Sequence, residues 1–429
     1  MRRGLLLVVA LAACKGNSPA PAPAPATPAP SKHAGSAGPP VAAATPTTIS
    51  KPGLVEGATL RPHREDPIVE CPVAATDLDD DARVPALLDE ANKQIDAGNF
   101  GAAWTCADRA ADLAPQSVEA HHLRGAALAA LGRDGEAQTA FGIALALDPD
   151  DAETLRAVAD YYINGKGERS RDALRLGLEL AQRGTRRAAA RRRTNAPLVA
   201  DLEILEGQAL NDLGRSDEAL ARIDAALKLA PGRGDALHEK GVALFDLSRF
   251  DGAKAALQKA LALQPNDAYT HQMLGLTLEQ LGDTPTGEAE QKRALELAPG
   301  ELWPPVLISK VEFQKEIDAV LATLPAERLA HVKKVPIEIV DLPAPSDLAA
   351  VTPPFPPTIL GLYRGPVGRP LGPKGEPAEP QSIVLYRKNL ARAVKTRAEL
   401  SEQIRDTLLH EIGHLEGLDE DDLRRRGME

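Results

Sequence analysis

Aromatic side chains supply only 3% of this 429-residue sequence, with 2 Trp, 5 Tyr and 6 Phe. That scarcity argues against a β-sandwich core. The 43% hydrophobic content has to be mostly aliphatic and Ala, as in helices stacked through small contacts. Cysteine is equally sparse: 3 residues are too few for a disulfide scaffold and too scattered for a structural zinc knuckle. Basic charge is in deficit, 50 Lys and Arg against 61 Asp and Glu, so the net charge of −11 excludes a general nucleic-acid binder. What is present, 26% charged residues in a chain of this length, excludes disorder throughout and predicts two to three domains, mainly helical.

Residues 1–13 read as an export signal: Arg2 and Arg3, an apolar run from Leu5 to Leu11, and small residues before Cys14. The run is shorter than the roughly 20 residues a spanning helix needs. Leu11-Ala12-Ala13-Cys14 resembles a bacterial lipobox. The resemblance implies lipidation of Cys14 and a lipid-anchored place in the bacterial cell envelope, on the periplasmic or surface side of the outer membrane. Residues 14–67 are Pro- and Ala-rich with almost nothing to bury, a spacer expected to populate extended polyproline II. With Cys14 acylated, Cys71 and Cys106 are the remaining thiols. A disulfide pinning the leading segment to the first helical hairpin fits them, as do two free buried thiols.

The middle of the chain repeats itself. Pro115 and Pro149 are 34 residues apart, as are Pro231 and Pro265, and Pro265 and Pro299. Aligned on these prolines, Ala91, Gly125, Gly207, Gly241 and Gly275 share one position, and Ala110, Ala144, Ala226, Ala260 and Ala294 another. Both positions demand small side chains where helices approach closely. A 34-residue period with this pattern resembles the tetratricopeptide repeat family over 84–299. The resemblance implies a helical solenoid of about six repeats whose groove takes a protein or peptide partner. One unit is degenerate, expected to run from Asp150 to about Gln182, with surplus residues at the Arg-rich stretch Arg183 to Asn195. Those arginines read as a solvated, extended helix end, or as a grip for an acidic partner or headgroup.

After Pro299 the period stops, and residues 300–429 read as a small α+β unit. A helix is expected over Val311–Leu324, a strand over Val335–Val340, and a Pro/Gly-rich loop that includes Pro353–Pro357 and Gly361-Leu362-Tyr363. A second strand is expected at Ile383–Tyr386, and a last helix from about Ala398. That helix contains His410-Glu411-Ile412-Gly413-His414, the H-E-x-x-H pattern. Residues four apart share a helix face, so both imidazoles can reach one Zn2+, with Glu411 as general base. At about 100° per residue, Ile404, Leu408, Ile412 and Leu415 form the buried stripe, with His410 and His414 roughly 120–160° away. The histidines are therefore expected to face a cleft, beside Gln403, Asp406 and Thr407, and Glu411 to sit at the edge of the apolar stripe with a raised pKa. Gly417 suits a left-handed helix stop, and the reversed chain would bring Asp419, Glu420 or Asp421 back toward the histidines as a third ligand. Spacing favours Glu420, ten residues after His410, with Asp419 the alternative. Gly413 inside the helix points to a close approach there.

Together with LGLYRG at 360–365, IVLYRKNLARA at 383–393 and RDTLLHEIGHLEGLDEDDLRRRG at 405–427, these residues resemble the minimal zincin-like metallopeptidase family over about 311–427. The resemblance implies a compact zincin core with His410, His414 and an acidic residue as zinc ligands and Glu411 as base. It also implies that the strand Ile383–Tyr386 lines the cleft and pairs with an extended substrate. Tyr386 and Tyr363 stand either as oxyanion or substrate contacts or as packing residues. The functional expectation is a membrane-tethered zinc metallopeptidase whose repeats recruit substrate or partner. The alternative is a repeat scaffold with a structural or inactive zincin unit.

Overall fold

Each repeat proline stands two residues beyond the end of a helix, where a ring that cannot continue the helix does no harm. The computed structural model describes residues 69–73, 80–165, 170–190, 195–365 and 381–427. The expected export signal, Cys14 and the spacer 14–67 lie outside the described residues. Six helical hairpins follow in order. They are α1 Asp80–Asp96 with α2 Phe100–Leu113, α3 Val118–Ala130 with α4 Asp134–Leu147, and α5 Ala152–Asn164 with α6 Arg171–Ala189. The remaining three are α7 Ala196–Asp212 with α8 Ser216–Leu229, α9 Gly234–Asp246 with α10 Phe250–Leu263, and α11 Ala268–Gln280 with α12 Thr284–Leu297. The small-residue positions sit where partner helices touch: a Cβ at Gly241 would meet Leu257 Cδ2 at 2.5 Å. Ala110, Ala144, Ala226, Ala260 and Ala294 are all buried. No helix among the described residues is long and apolar enough to cross a membrane.

In the third hairpin the second helix runs past Gln182 to Ala189, the extended helix end expected of the Arg-rich stretch, with Ala181, Gly184 and Ala188 carrying the buried stripe onward. The surplus residues are shared among the α5–α6 connection, this 19-residue helix and a 17-residue α7. Arg183 pairs with Asp150 at 2.8 Å and Arg187 with the same carboxylate, a helix end with intrachain partners. Arg191, Arg192 and Arg193 lie outside the described residues. At the other end of the array, Cys71 and Cys106 form a disulfide bond. It fastens segment 69–73 along α2, where Thr105 Oγ1 donates to the Val69 carbonyl at 2.6 Å and Arg109 to that of Val73 at 3.2 Å.

Beyond the array, Ser309 and Glu312 make a capping box that starts α13 Lys310–Ala322, and a short α14 Ala326–Val332 follows. Strand β1 Ile337–Val340 leads to the one-turn α15 Pro345–Leu348. The expected loop then contains a strand, β2 Gly361–Arg364. Next come β3 Ser382–Tyr386, α16 Arg387–Ala393, α17 Arg397–Leu415 and α18 Glu420–Arg425. The sheet order is β1-β3-β2, with β1 parallel and β2 antiparallel to β3. Both edges of β3 are therefore occupied, and Ile383–Tyr386 has no free backbone groups to offer an extended substrate. That expectation is corrected: the strand in the expected cleft position is the centre of the sheet. Strand periodicity assigns its two faces. Ile383 and Leu385 pack with Leu408 and Ile412 of α17, while Val384 and Tyr386 pack with Leu348, Phe355 and Ile359. Phe250 of α10 also packs against this second cluster, so the array touches the sheet.

A buried ion pair closes the junction between array and C-terminal unit. The Glu279 carboxylate at the end of α11 is fully enclosed and accepts from Lys388 Nζ at 2.8 Å and Arg392 Nη2 at 2.5 Å, both on α16. Gln291 of α12 adds a third hydrogen bond at 3.0 Å. Burial alone would raise the Glu279 pKa, but the two cations outweigh it and hold it low. Glu279→Ala leaves Lys388 and Arg392 with only the exposed Glu288 carboxylate, 3.7 Å from Lys388 Nζ, as counter-charge. It should cost about 2–4 kcal/mol of unfolding free energy in urea; an unchanged midpoint would mean that apolar packing alone holds the junction.

Candidate metal centre

Helix α17 begins at Thr396, whose side chain accepts from Glu399 N while Glu399 reaches back to the Thr396 N–H. Nineteen residues later the helix ends in a Schellman motif. Gly417 N–H donates to the His414 carbonyl and Leu418 N–H to that of Gly413, both at 3.0 Å, with Gly417 at φ +87°. The reversal carries Glu420 back over the helix. His414 Nε2 lies 3.1 Å from His410 Nε2, and Glu420 Oε1 lies 3.2 Å from His414 Nε2 and 3.6 Å from His410 Nε2.

This spacing can be set against the geometry of a metal. Tetrahedral zinc with bonds of about 2.0–2.1 Å separates its ligand atoms by about 3.3–3.4 Å. The three observed separations bracket that value, and all three donor atoms lie within 4.8 Å of one another. His414 Nδ1 lies 2.9 Å from the Leu418 carbonyl. A carbonyl can only accept, so Nδ1 carries the proton and Nε2 is left with a lone pair. Two imidazoles and one carboxylate, with a fourth tetrahedral corner left over, are the donor set of a catalytic zinc site. The residues fit Zn2+.

Helical phase predicts both histidines on an open cleft, and the structure corrects this by burying them. His410 and His414 are each 1% exposed. One helix phase accounts for one packed side, but α17 is covered on two: the sheet and α13 take Ile404, Leu408 and Ile412, and the returning chain at Leu418–Glu420 takes the histidines. Thr407 is likewise buried, whereas Gln403 is half-buried and Asp406 exposed. Asp419, the alternative third ligand, is used otherwise: its side chain caps α18 by accepting from Asp422 N at 2.8 Å. Tyr386 is also committed elsewhere, donating its hydroxyl to Asp347 Oδ2 at 2.9 Å, and burial with the Asp347 charge pushes its pKa up. An oxyanion role for it is corrected. Tyr363 belongs to the core cluster beside α17 through its ring. Its backbone N–H is directed at the Glu411 carboxylate.

Strand β2, which sequence reasoning passed over, is what encloses Glu411. A Cβ at Gly361 would come within 3.0 Å of Glu411 Oε1 and 2.7 Å of Thr407 Cγ2, so the strand lies against the helix only because this residue has no side chain. Glu411 is completely buried, and neither of its carboxylate oxygens makes a hydrogen bond of ordinary geometry. Burial lifts its pKa to about 7 against the opposing pull of His410, His414 and the Tyr363 N–H. Glu420 goes the other way: burial is outweighed by its two histidine partners, and its pKa falls to about 2. The same contact raises His414 despite its burial.

Residues 332–428 match the family of zincin-like metallopeptidases, and 88–152, 204–268 and 238–301 match tetratricopeptide repeats. The chain thus joins a repeat solenoid to a small C-terminal zincin-like domain. Among solved structures, PilF of Pseudomonas aeruginosa is 14% identical, with 56% of this chain and 99% of that one covered at a TM-score of 0.43. YrrB, described as a TPR protein with an unusual peptide-binding site, is 15% identical, with 45% and 93% covered at a TM-score of 0.34. Among curated proteins none matches significantly.

The Glu411 environment sets a pH dependence for the metal-free protein. An acid whose pKa rises from 4.5 unfolded to about 7 folded is penalised increasingly across that interval and fully above it. Glu411→Gln should therefore stabilise the metal-free fold at pH 8 by up to about 3 kcal/mol. The gain should vanish below about pH 4.5. Equal stability of the two proteins at pH 8 would show that the carboxylate is not desolvated.

Proposed function

We propose that residues 300–429 are a zinc-dependent peptidase unit, held at the bacterial envelope through Cys14 and the spacer, with the array of 84–299 recruiting substrate or partner. The observation that carries the reading is the triangle of His410, His414 and Glu420 at tetrahedral spacing beside a buried Glu411 whose pKa lies near neutrality. His410 and His414 would present Nε2 lone pairs, and Glu420 one carboxylate oxygen. When bound, Zn2+ supplies Lewis acidity, acidifying a water and polarising a carbonyl. Glu411, with a pKa matched to its task, accepts a proton from the attacking water and passes it to the leaving amine. Enclosure by β2 and α18 excludes bulk water and strengthens these interactions. The Cys71–Cys106 disulfide supports an oxidising compartment.

A second reading draws on the burial of His410, Glu411 and His414: a closed site of this kind also suits a structural zinc in an interaction scaffold. Purified full-length protein separates the two. The peptidase reading predicts one zinc per chain and cleavage of a peptide library that Glu411→Gln lowers by about 10²–10⁴-fold. Zinc without Glu411-dependent cleavage supports the scaffold, and absence of zinc contradicts both. His410→Ala should lose the metal while the helical circular dichroism of the array persists.

A further inference from the structure

The third ligand of the centre stands on a short helix that follows the chain reversal. Helix α18 has six residues, between Gly417 at φ +87° and Gly427 at φ +68°. It contains one fully buried side chain, Leu423. Leu423 packs over Gly413, the bare position between the two histidines: a Cβ there would collide with Leu423 Cδ2 and touch Leu418 Cδ1 at 3.5 Å. A glycine inside a helix costs about 1 kcal/mol relative to Ala, so the sequence carries a local penalty at the turn that α18 covers.

We infer that Leu423 is a positioning residue for the metal centre, a peg that seats on Gly413 and thereby sets the Glu420 carboxylate at ligand distance from His410 and His414. The inference rests on the zinc reading above. Three contacts set the seat. The Schellman turn brings the chain round, the Leu418 carbonyl meets His414 Nδ1, and the Asp419 cap with the Leu423 N–H to Asp419 carbonyl bond at 3.0 Å starts α18 in the right direction. None of these fixes the rotation of α18 about its own axis. A single apolar anchor does, because Glu420 and Leu423 are three residues apart and share a face of the helix. Asp421, Arg424 and Arg425 on its other sides are exposed and leave the helix no competing seat.

The test is zinc affinity of the full chain, by competition with a chromophoric chelator, together with the visible absorption of the Co2+-substituted protein, which is intense for four-coordinate and weak for six-coordinate cobalt. Leu423→Ala should weaken zinc binding at least tenfold and flatten the cobalt band, as Glu420→Gln should, while Leu423→Met stays within about threefold of the parent. Gly413→Ala, which displaces the peg from below, should resemble Leu423→Ala. The double variant Leu423→Ala, Glu420→Gln should bind no worse than Glu420→Gln alone, because the peg acts only through that carboxylate. Parental affinity and cobalt spectrum in Leu423→Ala would overturn the inference, as would fully additive losses in the double variant. A parent chain that binds no zinc removes the metal reading itself, and the peg with it.

Discussion

Three donor atoms at 3.1–3.6 Å from one another cannot be held by a helix alone. Two of them come free with helical geometry, one turn apart on α17. The third has to cross a chain reversal, and everything around the centre serves that crossing. Gly417 permits the left-handed turn, Leu418 ties it to the ring of His414, Asp419 starts the next helix, and Leu423 settles on Gly413. The outer face of α17 is then closed and its inner face packs on the sheet, which buries Glu411 completely. Its raised pKa is a consequence of packing on both sides rather than of any one neighbour.

A second helix, α16, connects the centre to the rest of the chain. α16 lies between β3 and α17. Its Asn389 donates to the Pro357 and Ile359 carbonyls just ahead of β2, and its Lys388 and Arg392 grip Glu279 of the last repeat. One short basic helix thus braces the strand that covers Glu411, leads into the helix that bears the histidines, and docks the unit on the array. On the far side of the sheet, Arg364 binds Asp347 through two hydrogen bonds of 2.9 Å, and Tyr386 adds its hydroxyl to the same carboxylate. That network holds β2 by its last residue while Gly361 holds it by its first.

Much of this was legible in residues taken alone. The 34-residue spacing of prolines gave the array, since each repeat imposes the same small side chains at the same contacts. Gly417 and the ten-residue spacing gave Glu420, because a helix stop of fixed geometry leaves few places for a returning carboxylate. What stayed hidden depends on partners. Gly361–Arg364 sits among prolines and glycines and shows no alternation of its own; it is a strand because β3 offers an edge. The burial of His410 and His414 was hidden for the same reason, since a phase angle describes one helix and not the chain that folds back over it. The extension of α6 was legible as a helix end, but arginines at 183, 186 and 187 masked the buried stripe of Ala and Gly beneath it.

The central claim is that this chain holds zinc through two imidazoles and one carboxylate. X-ray absorption at the zinc edge of the full-length protein tests it most directly. The account predicts a four-coordinate first shell of nitrogen and oxygen at about 2.0–2.1 Å, with the multiple scattering of two imidazoles and one further oxygen from solvent. A shell containing sulfur, a six-oxygen shell without imidazole, or a spectrum unchanged by Glu420→Gln would contradict it.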